Sequence, residues 1–127
     1  MKPTMKLATI LLLGTAIGAS ALTALRAQSA QKAAYVIADT DISDKDAYRA
    51  YAAKVPDTLK PYNGRIIVRG APISKEGAAP QGIIVMLVFD SLDNAQKWYA
   101  SPAYSALIPE RQKSAKANIF MVEALAQ

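Results

Sequence analysis

The 127-residue sequence predicts one small α+β domain with the element order β-α-β-β-α-β. Four segments rich in β-branched and aromatic residues alternate in that order with two stretches whose apolar residues recur every three or four positions. The chain also contains no His and no Cys. This absence excludes disulfides, zinc fingers, Cys or His nucleophilic sites and Cys- or His-ligated haem.

The first 27 residues have the order of a secretory signal peptide. Lys2 and Lys6 precede an uncharged run over residues 7–25, and small residues follow around Ala27. We expect cleavage after Ala27, with Ala30 as the alternative, which leaves a flexible leader over 28–33 and a domain over 34–127. The run is also long enough to be an uncleaved membrane anchor. Cleavage predicts a periplasmic or secreted protein.

The charge of the exported chain is close to neutral. Removing the signal takes away three of the 15 basic residues and none of the ten acidic residues, so the net charge falls from +5 to +2. No cluster of Lys or Arg remains that would indicate nucleic acid as a partner. We therefore expect no nucleic acid partner, no membrane contact after cleavage, no cofactor and no metal.

The first half of the domain predicts a strand, a helix and a second strand. Residues 34–39 read as the first strand, and an acidic cluster follows that we interpret as helix-cap chemistry, at Asp39, Asp41, Asp44 and Asp46. The helix carries Tyr48, Tyr51 and Tyr62 on one face, which is typical of a core. Pro56 predicts a kink or an early end near Val55. Residues 65–69 form the second strand.

The second half repeats this pattern after a loop over residues 70–82. Residues 83–89 are seven consecutive apolar residues and predict the third strand. A helix follows from Leu92, and Ser101-Pro102 restarts a helical segment that continues toward Lys116. Residues 119–125 form the last strand. The whole is a ferredoxin-like sandwich, a four-stranded antiparallel sheet with helices on one face.

The third strand also predicts a homodimer. A sheet with one solvated face alternates apolar and polar residues, but both sides of residues 83–89 are apolar. The face without helices would leave a large apolar patch in water, which a second copy of the sheet would cover. The alternative is that the loop over residues 70–82 folds across that face.

Several short motifs resemble domain-of-unknown-function family 1330. The resemblance covers residues 34–125 and rests on Tyr62-x-Gly64-Arg65, Arg69-Gly70, Glu76-Gly77, Ala95-x-x-Trp98-Tyr99-x-Ser101-Pro102-x-Tyr104 and Arg111. The segment from Trp98 to Tyr104 is its most specific part. The resemblance implies a ferredoxin-like dimeric α+β barrel and no established reaction.

The candidate site residues are polar or aromatic. Arg65 and Arg69, four residues apart on one strand, would share a face and hold a carboxylate or other anion, or else form ion pairs, for instance with Glu76. Glu76, the only acid in the long loop, is a candidate general base or a salt bridge that pins the loop. Arg65 and Glu76 are the catalytic candidates.

Three aromatic residues on or beside the second predicted helix are the other part of the candidate site. Trp98, Tyr99 and Tyr104 would line a pocket for a flat ligand, or else pack the helix on the sheet. Arg111 would reach that pocket or the last carbonyl groups of its helix, or form an ion pair, and we favour the ion pair. The predicted ligand-binding set is therefore Arg65, Arg69, Trp98, Tyr99, Tyr104 and Arg111.

Three functions remain open from the sequence. The first is a module that binds a small apolar or anionic ligand in a cleft. The second is an enzyme similar to cofactor-independent monooxygenases, with Arg65, Arg69 and Glu76 in the site; it rests only on analogy of fold. The third is a structural envelope protein without a ligand.

Overall fold

A computed structural model describes residues 31–127, and the predicted signal peptide lies outside these residues. The element order is the predicted one, with the helical region between β3 and β4 divided into three short helices. The strands are β1 (Ala34–Ile42), β2 (Arg65–Gly70), β3 (Ile83–Phe89) and β4 (Ala115–Glu123). The helices are α1 (Lys45–Leu59), α2 (Leu92–Ala100), α3 (Pro102–Ser105) and α4 (Ile108–Ser114), and a 3₁₀ turn spans Lys60–Tyr62.

The four strands form one antiparallel sheet in the order β2-β3-β1-β4. β1 lies in the centre, paired with β3 on one side and with β4 on the other. This arrangement confirms the predicted fold class, a ferredoxin-like α+β sandwich. It also brings the two halves of the chain together, because the first and last strands are neighbours.

Helix α1 differs from its predicted length. The Asp44 carboxylate caps it by accepting from the backbone N–H of Ala47 at 3.0 Å. The predicted early end near Val55 is wrong, since the helix continues through Pro56 to Leu59. Pro56 lies close to the end of the helix, so its missing N–H removes one backbone hydrogen bond. Burial of Thr58 and Leu59 holds the last turn against the sheet.

Ser101-Pro102 separates helix α2 from helix α3, as predicted. Ser101 Oγ donates to the carbonyl of Trp98 at 2.6 Å and accepts from the backbone N–H of Tyr104 at 3.2 Å. One side chain therefore ends α2 and caps α3, and it fixes the relative positions of Trp98 and Tyr104.

The last strand begins earlier than expected. It starts at Ala115 instead of residue 119, because α4 ends at Ser114 and Ala115 pairs at once with Ile42 of β1. The Ser114 hydroxyl closes the helix by donating to the carbonyl oxygens of Glu110 and Arg111. The predicted extension of the helix toward Lys116 is therefore wrong.

A β-bulge in β2 overturns one prediction about the candidate site. Arg65 lies opposite Val88 of β3, whereas Arg69 lies opposite Val85, with the register shift between Ile66 and Val68. Directly opposed residues of an antiparallel pair point to the same face, and positions 85 and 88 point to opposite faces. The two arginines therefore lie on opposite faces of the sheet, not on one.

The two faces of the sheet have different surroundings. The inner face, covered by the helices, carries the buried side chains of Val36, Leu87 and Phe89. The outer face is also apolar, but no helix within residues 31–127 covers it; its register positions include Tyr35, Ile37, Val68, Ile84, Met86, Val88, Phe120 and Val122. Phe120 is 54% exposed and Val122 47%.

The long loop does not cover the outer face within this chain. Residues 71–81 are all exposed, and Ile73 in the middle of the loop is 83% exposed. The loop is tied down at its end, where the Asp39 carboxylate accepts from the backbone N–H groups of Gln81 and Gly82 at 2.9 and 3.0 Å. In residues 31–127, no helix is long and apolar enough to cross a membrane.

Candidate functional site

A cavity lies between the inner face of the sheet and the helices. The cavity has a volume of about 40 Å³, enough for a few waters or part of a small organic molecule. Its apolar lining comes from both layers and consists of Val36, Ala38, Ala52, Val55, Ile66, Val85, Leu87 and Ile119. Its remaining lining is aromatic or polar, and these groups determine what the cavity can bind.

A guanidinium and two phenols form the polar end of the cavity. Arg111 Nη1 donates to the hydroxyl of Tyr104 at 2.8 Å, and that hydroxyl is 2.9 Å from the hydroxyl of Tyr51. Arg111 is only 7% exposed, and Tyr51 and Tyr104 are buried as well. Three residues from α1, α3 and α4 thus converge on one point.

Aromatic rings packed at a tilt form one wall. The rings of Trp98 and Tyr104 lie 4.1 Å apart between centroids with 36° between their planes, and Tyr99 lies 6.1 Å from Trp98. Phe89, which does not line the cavity, packs against Trp98 at 5.4 Å. Trp98 Nε1 donates to Thr58 Oγ1 at 2.9 Å, so its one polar atom is satisfied. This wall is rigid because both the ring face and the indole N–H are held.

Arg69 brings a second positive charge to the cavity. It lines the cavity from β2, although much of its side chain is exposed, which places it where the cavity meets solvent. Tyr48 and Thr40 also line the cavity. The bulge in β2 accounts for the position of Arg69, because the shifted register places Arg69 opposite Val85 on the inner face.

No carboxylate faces the two guanidinium groups. Among residues 31–127, neither an Asp nor a Glu lines the cavity, and Arg111 has no acidic group within ion-pair distance. Its neighbour Glu110 instead pairs with Lys54 at 2.9 Å. The ion pair we favoured for Arg111 is therefore wrong; the guanidinium contacts phenol hydroxyls.

Burial controls the protonation of the phenols. It raises the pKa of Tyr104 and of Tyr51, and the Tyr51–Tyr104 contact raises that of Tyr51 further. Burial also raises the pKa of Tyr48, against the opposing effect of the Arg69 charge. The phenols are therefore neutral hydrogen-bond donors at physiological pH, and the Arg111 guanidinium stays charged, since its pKa is raised from its ordinary value.

The structure brings five of the predicted site residues together and leaves two outside. Arg69, Trp98, Tyr99, Tyr104 and Arg111 all line the cavity. Arg65 lies on the outer face of β2, and Glu76 is an exposed residue of the loop; neither lines the cavity. Whether any of these residues binds a ligand stays a prediction.

Sequence reasoning assigned two cavity residues to the core. Tyr48 and Tyr51 lie on the predicted apolar helical face, but both line the cavity, and the Tyr51 hydroxyl contacts that of Tyr104. The available signal was the residue type, because a buried Tyr needs a hydrogen-bond partner where Leu does not. Thr40 gave no such signal.

The described residues offer no metal site. No group of three or more Asp or Glu side chains in residues 31–127 is placed to hold a metal ion. The donors around the cavity are guanidinium and phenol hydroxyl groups, which recognise anions and hydrogen-bond acceptors.

The chain belongs to the family described as Domain of unknown function (DUF1330), whose match spans residues 33–125. This confirms the resemblance seen in the motifs around Trp98 to Tyr104. No curated protein matches the chain in sequence.

Solved structures similar to this chain share its fold. A protein of unknown function from Rhodopseudomonas palustris matches with a TM-score of 0.59 and 14% identity, over 84% of this chain and 92% of that one. SnoaB, described as a cofactor-independent oxygenase from Streptomyces nogalater, matches with a TM-score of 0.54 and 10% identity, over 77% of this chain and 97% of that one. At these identities the likeness concerns the fold alone.

Proposed function

We propose that this protein binds a small organic anion with an apolar body in the cavity between sheet and helices. The observation that supports the proposal is the buried Arg111, whose guanidinium contacts a phenol in a cavity that Arg69 also lines and that no carboxylate of the described residues lines. The anionic group of the ligand would sit at Arg111 and Tyr104, and its apolar part against the sheet.

The energetics of burial favour this role over a structural one. A buried charge without a counter-charge is costly, and proteins normally pair it. A structural arginine at this position would be expected to face an acid such as Glu110, which pairs with Lys54 instead. The missing negative charge is what a ligand carboxylate would supply, through charge-assisted hydrogen bonds.

A calorimetric titration with matched anionic and neutral probes tests this proposal. Benzoate and acetate carry a carboxylate, and benzamide and acetamide are their neutral counterparts of similar shape. We expect binding of a carboxylate and at least tenfold weaker binding of its amide, since hydrogen bonds to charged groups contribute about 1.5–3 kcal/mol. Equal affinity for acid and amide, or binding of neither, would contradict the proposal.

Two arginines of one strand provide a matched pair of variants for the same titration. Arg69→Gln removes a charge at the cavity, whereas Arg65→Gln removes the same charge from the opposite face of β2. We expect the first variant to weaken carboxylate binding several-fold and the second to leave it unchanged. An equal effect of both would mean that only the net charge matters.

The protein would act as an exported homodimer. The motive for the dimer is the uncovered apolar outer face, where Val68, Phe120 and Val122 are 40–54% exposed. A second copy seated face to face on the sheet would bury these side chains. Native mass spectrometry at low concentration should give twice the subunit mass, and a monomer would refute this part.

Export rests on the signal peptide predicted over residues 1–27. The mature chain would begin after Ala27, in the periplasm or outside the cell. The intact mass of protein taken from the cell envelope distinguishes this product from a retained anchor, whose mass would include Met1.

An oxygenase-like activity is the second candidate. It is supported by the shared fold with SnoaB and by the Trp98, Tyr104 and Arg111 cluster in the cavity. The version that uses Arg65 and Glu76 loses support, because neither residue lines the cavity. Oxygen uptake on addition of a hydroxylated aromatic compound would favour this candidate; a ligand that binds and returns unchanged would favour simple binding.

A further inference from the structure

We infer that the cavity takes phenols and enols as their anions, so that a ligand that is neutral in water becomes ionised in the site. This inference rests on the proposed anion binding and extends it to weak acids. The groups that would face the acidic oxygen are Arg111 and Tyr104, with Tyr51 beside them and Arg69, Tyr48, Tyr99 and Thr40 around the remaining lining.

A count of donors and acceptors at the polar end leads to this inference. Arg111 donates to the Tyr104 hydroxyl, and the hydroxyls of Tyr104 and Tyr51 share one hydrogen bond. Two phenolic protons are present and one is used between the two oxygens. In the described part of the chain, neither hydroxyl makes another hydrogen bond, so one proton is left for an acceptor in the cavity.

The groups at the polar end of the cavity are hydrogen-bond donors, so they would stabilise an oxyanion more than a neutral phenol, whose own O–H is a further donor. A ligand hydroxyl placed there would meet a guanidinium and an O–H donor, whereas an oxyanion accepts from both. The site is shielded from water by Trp98, Tyr104 and the sheet, which strengthens these interactions. A nearby positive charge commonly lowers the pKa of an acid by about 1–3 units.

The proton that the ligand loses goes to solvent. The oxygen–hydrogen bond breaks, the electron pair stays on the ligand oxygen, and a water or buffer molecule takes the proton. No Asp or Glu in residues 31–127 lines the cavity to act as its acceptor. The site therefore shifts an ionisation equilibrium and needs no catalytic base to do so.

The aromatic wall suits the ring of such a ligand. The Trp98 and Tyr104 rings, tilted by 36° with centroids 4.1 Å apart, line the cavity beside the polar end, so the ring of a planar ligand would contact them with its oxygen directed to Arg111. Aromatic pairs of this kind contribute about 0.5–1.5 kcal/mol beyond the area they bury. The ligand class is thus a small planar phenol or enol.

4-Nitrophenol is a direct probe, because only its phenolate absorbs visible light. We would titrate pH with the purified protein in excess and follow this absorbance, with 4-nitroanisole, which cannot ionise, as the neutral competitor. The expected result is a pKa of the bound probe about 1–3 units below that of the free probe. Equivalently, the phenolate binds about 10- to 1000-fold more tightly than the phenol.

Three variants test whether the pKa shift of the probe comes from the cavity or from the overall charge of the protein. Tyr51→Phe removes one hydroxyl and Arg69→Gln removes one charge from the cavity, and both should reduce the shift. Arg65→Gln, on the outer face, should leave it unchanged. Thermal melting of each variant checks that the fold is retained, so a misfolded protein is not read as a lost site.

The outcomes also separate this inference from the proposed function. Binding of 4-nitrophenol with an unshifted pKa, or binding of benzoate but not of 4-nitrophenol, would overturn the ionisation and leave anion binding intact. Binding of neither benzoate nor 4-nitrophenol would overturn both. A shift that Arg65→Gln reduces as much as Arg69→Gln would also overturn the inference, because the cavity would not be its source.

Discussion

The two faces of the sheet carry similar apolar side chains but differ in what covers them. The inner face lies under four helices and encloses a cavity with buried polar groups, including Arg111 at 7% exposure. The outer face has no cover among the described residues, 31–127, and Phe120 is 54% exposed. Apolar character alone therefore does not identify a functional face; the polar groups placed among the apolar ones do.

The same contrast separates two arginines of one strand. Arg65 and Arg69 are alike in sequence context, and one extra residue in the bulge sends them to opposite faces. Arg69 joins the cavity, whereas Arg65 lies beside the exposed apolar surface. One local backbone irregularity thus decides which charge is available to a ligand.

The largest effect is expected from removing the cavity wall. Trp98 is 2% exposed, packs against the Tyr104 ring at 4.1 Å between centroids and donates to Thr58. Trp98→Ala should lower the free energy of unfolding by about 3–5 kcal/mol in urea denaturation. Ile73→Ala, at an 83% exposed position in the loop, should change it little. Similar values for both variants would mean that the wall is not part of the core.

The next largest loss of stability is expected at Gly64, whose backbone packs closely against the side chains of Phe89 and Leu59. A Cβ at Gly64 would lie 2.5 Å from a carbon of the Phe89 ring and 2.9 Å from Leu59. Gly64→Ala should therefore destabilise the protein by about 1–3 kcal/mol through overpacking. Gly70→Ala is the matched control, since its Cβ would meet nothing within 4 Å. Equal melting temperatures of the two variants would contradict the packing.

The outer face is tested by adding charge to it. Phe120→Lys should weaken the proposed dimer about tenfold or more, as measured by light scattering across a dilution series, because it places a charge in an apolar interface. Ile73→Lys, in the loop, should leave the dimer intact. A dimer that survives Phe120→Lys would place the interface elsewhere.

The buried phenols predict an alkaline loss of stability. Burial raises the pKa of Tyr51, Tyr104 and Tyr48 above about 10, the value of an unfolded Tyr, so the folded state keeps protons that the unfolded chain releases. Their contribution is complete below about pH 10 and is lost as pH rises further. Tyr51→Phe should flatten this decline; an equally steep decline in the variant would contradict the assignment.

Much of the fold could be predicted from the sequence because it depends on local patterns. The apolar run at 83–89 and the cap at Ser101 determine a strand and a helix boundary from neighbouring residues alone. The end of α1 could not be predicted, since Pro56 argues for a stop and only the packing of Leu59 on the sheet overrides it. The start of β4 likewise depends on its pairing with β1.

The candidate site was less predictable because it depends on distant contacts. Residue type pointed to Trp98, Tyr104, Arg69 and Arg111, which do line the cavity. The Tyr51–Tyr104 contact joins residues 53 positions apart, and the sequence around neither residue predicts it. The bulge that places Arg65 and Arg69 on opposite faces of the sheet has no marker in the sequence, which predicts a regular strand.

The most direct test of the account is to replace the buried charge and measure two quantities in the same variant. Arg111→Met keeps an unbranched apolar stem, removes the charge and leaves both partners of the Tyr51–Tyr104 hydrogen bond in place. If the charge is held for a ligand, the free energy of unfolding should stay equal or rise, because a buried unpaired charge is removed, while benzoate binding is lost. A destabilised variant that binds benzoate as tightly as the parent protein would contradict the account.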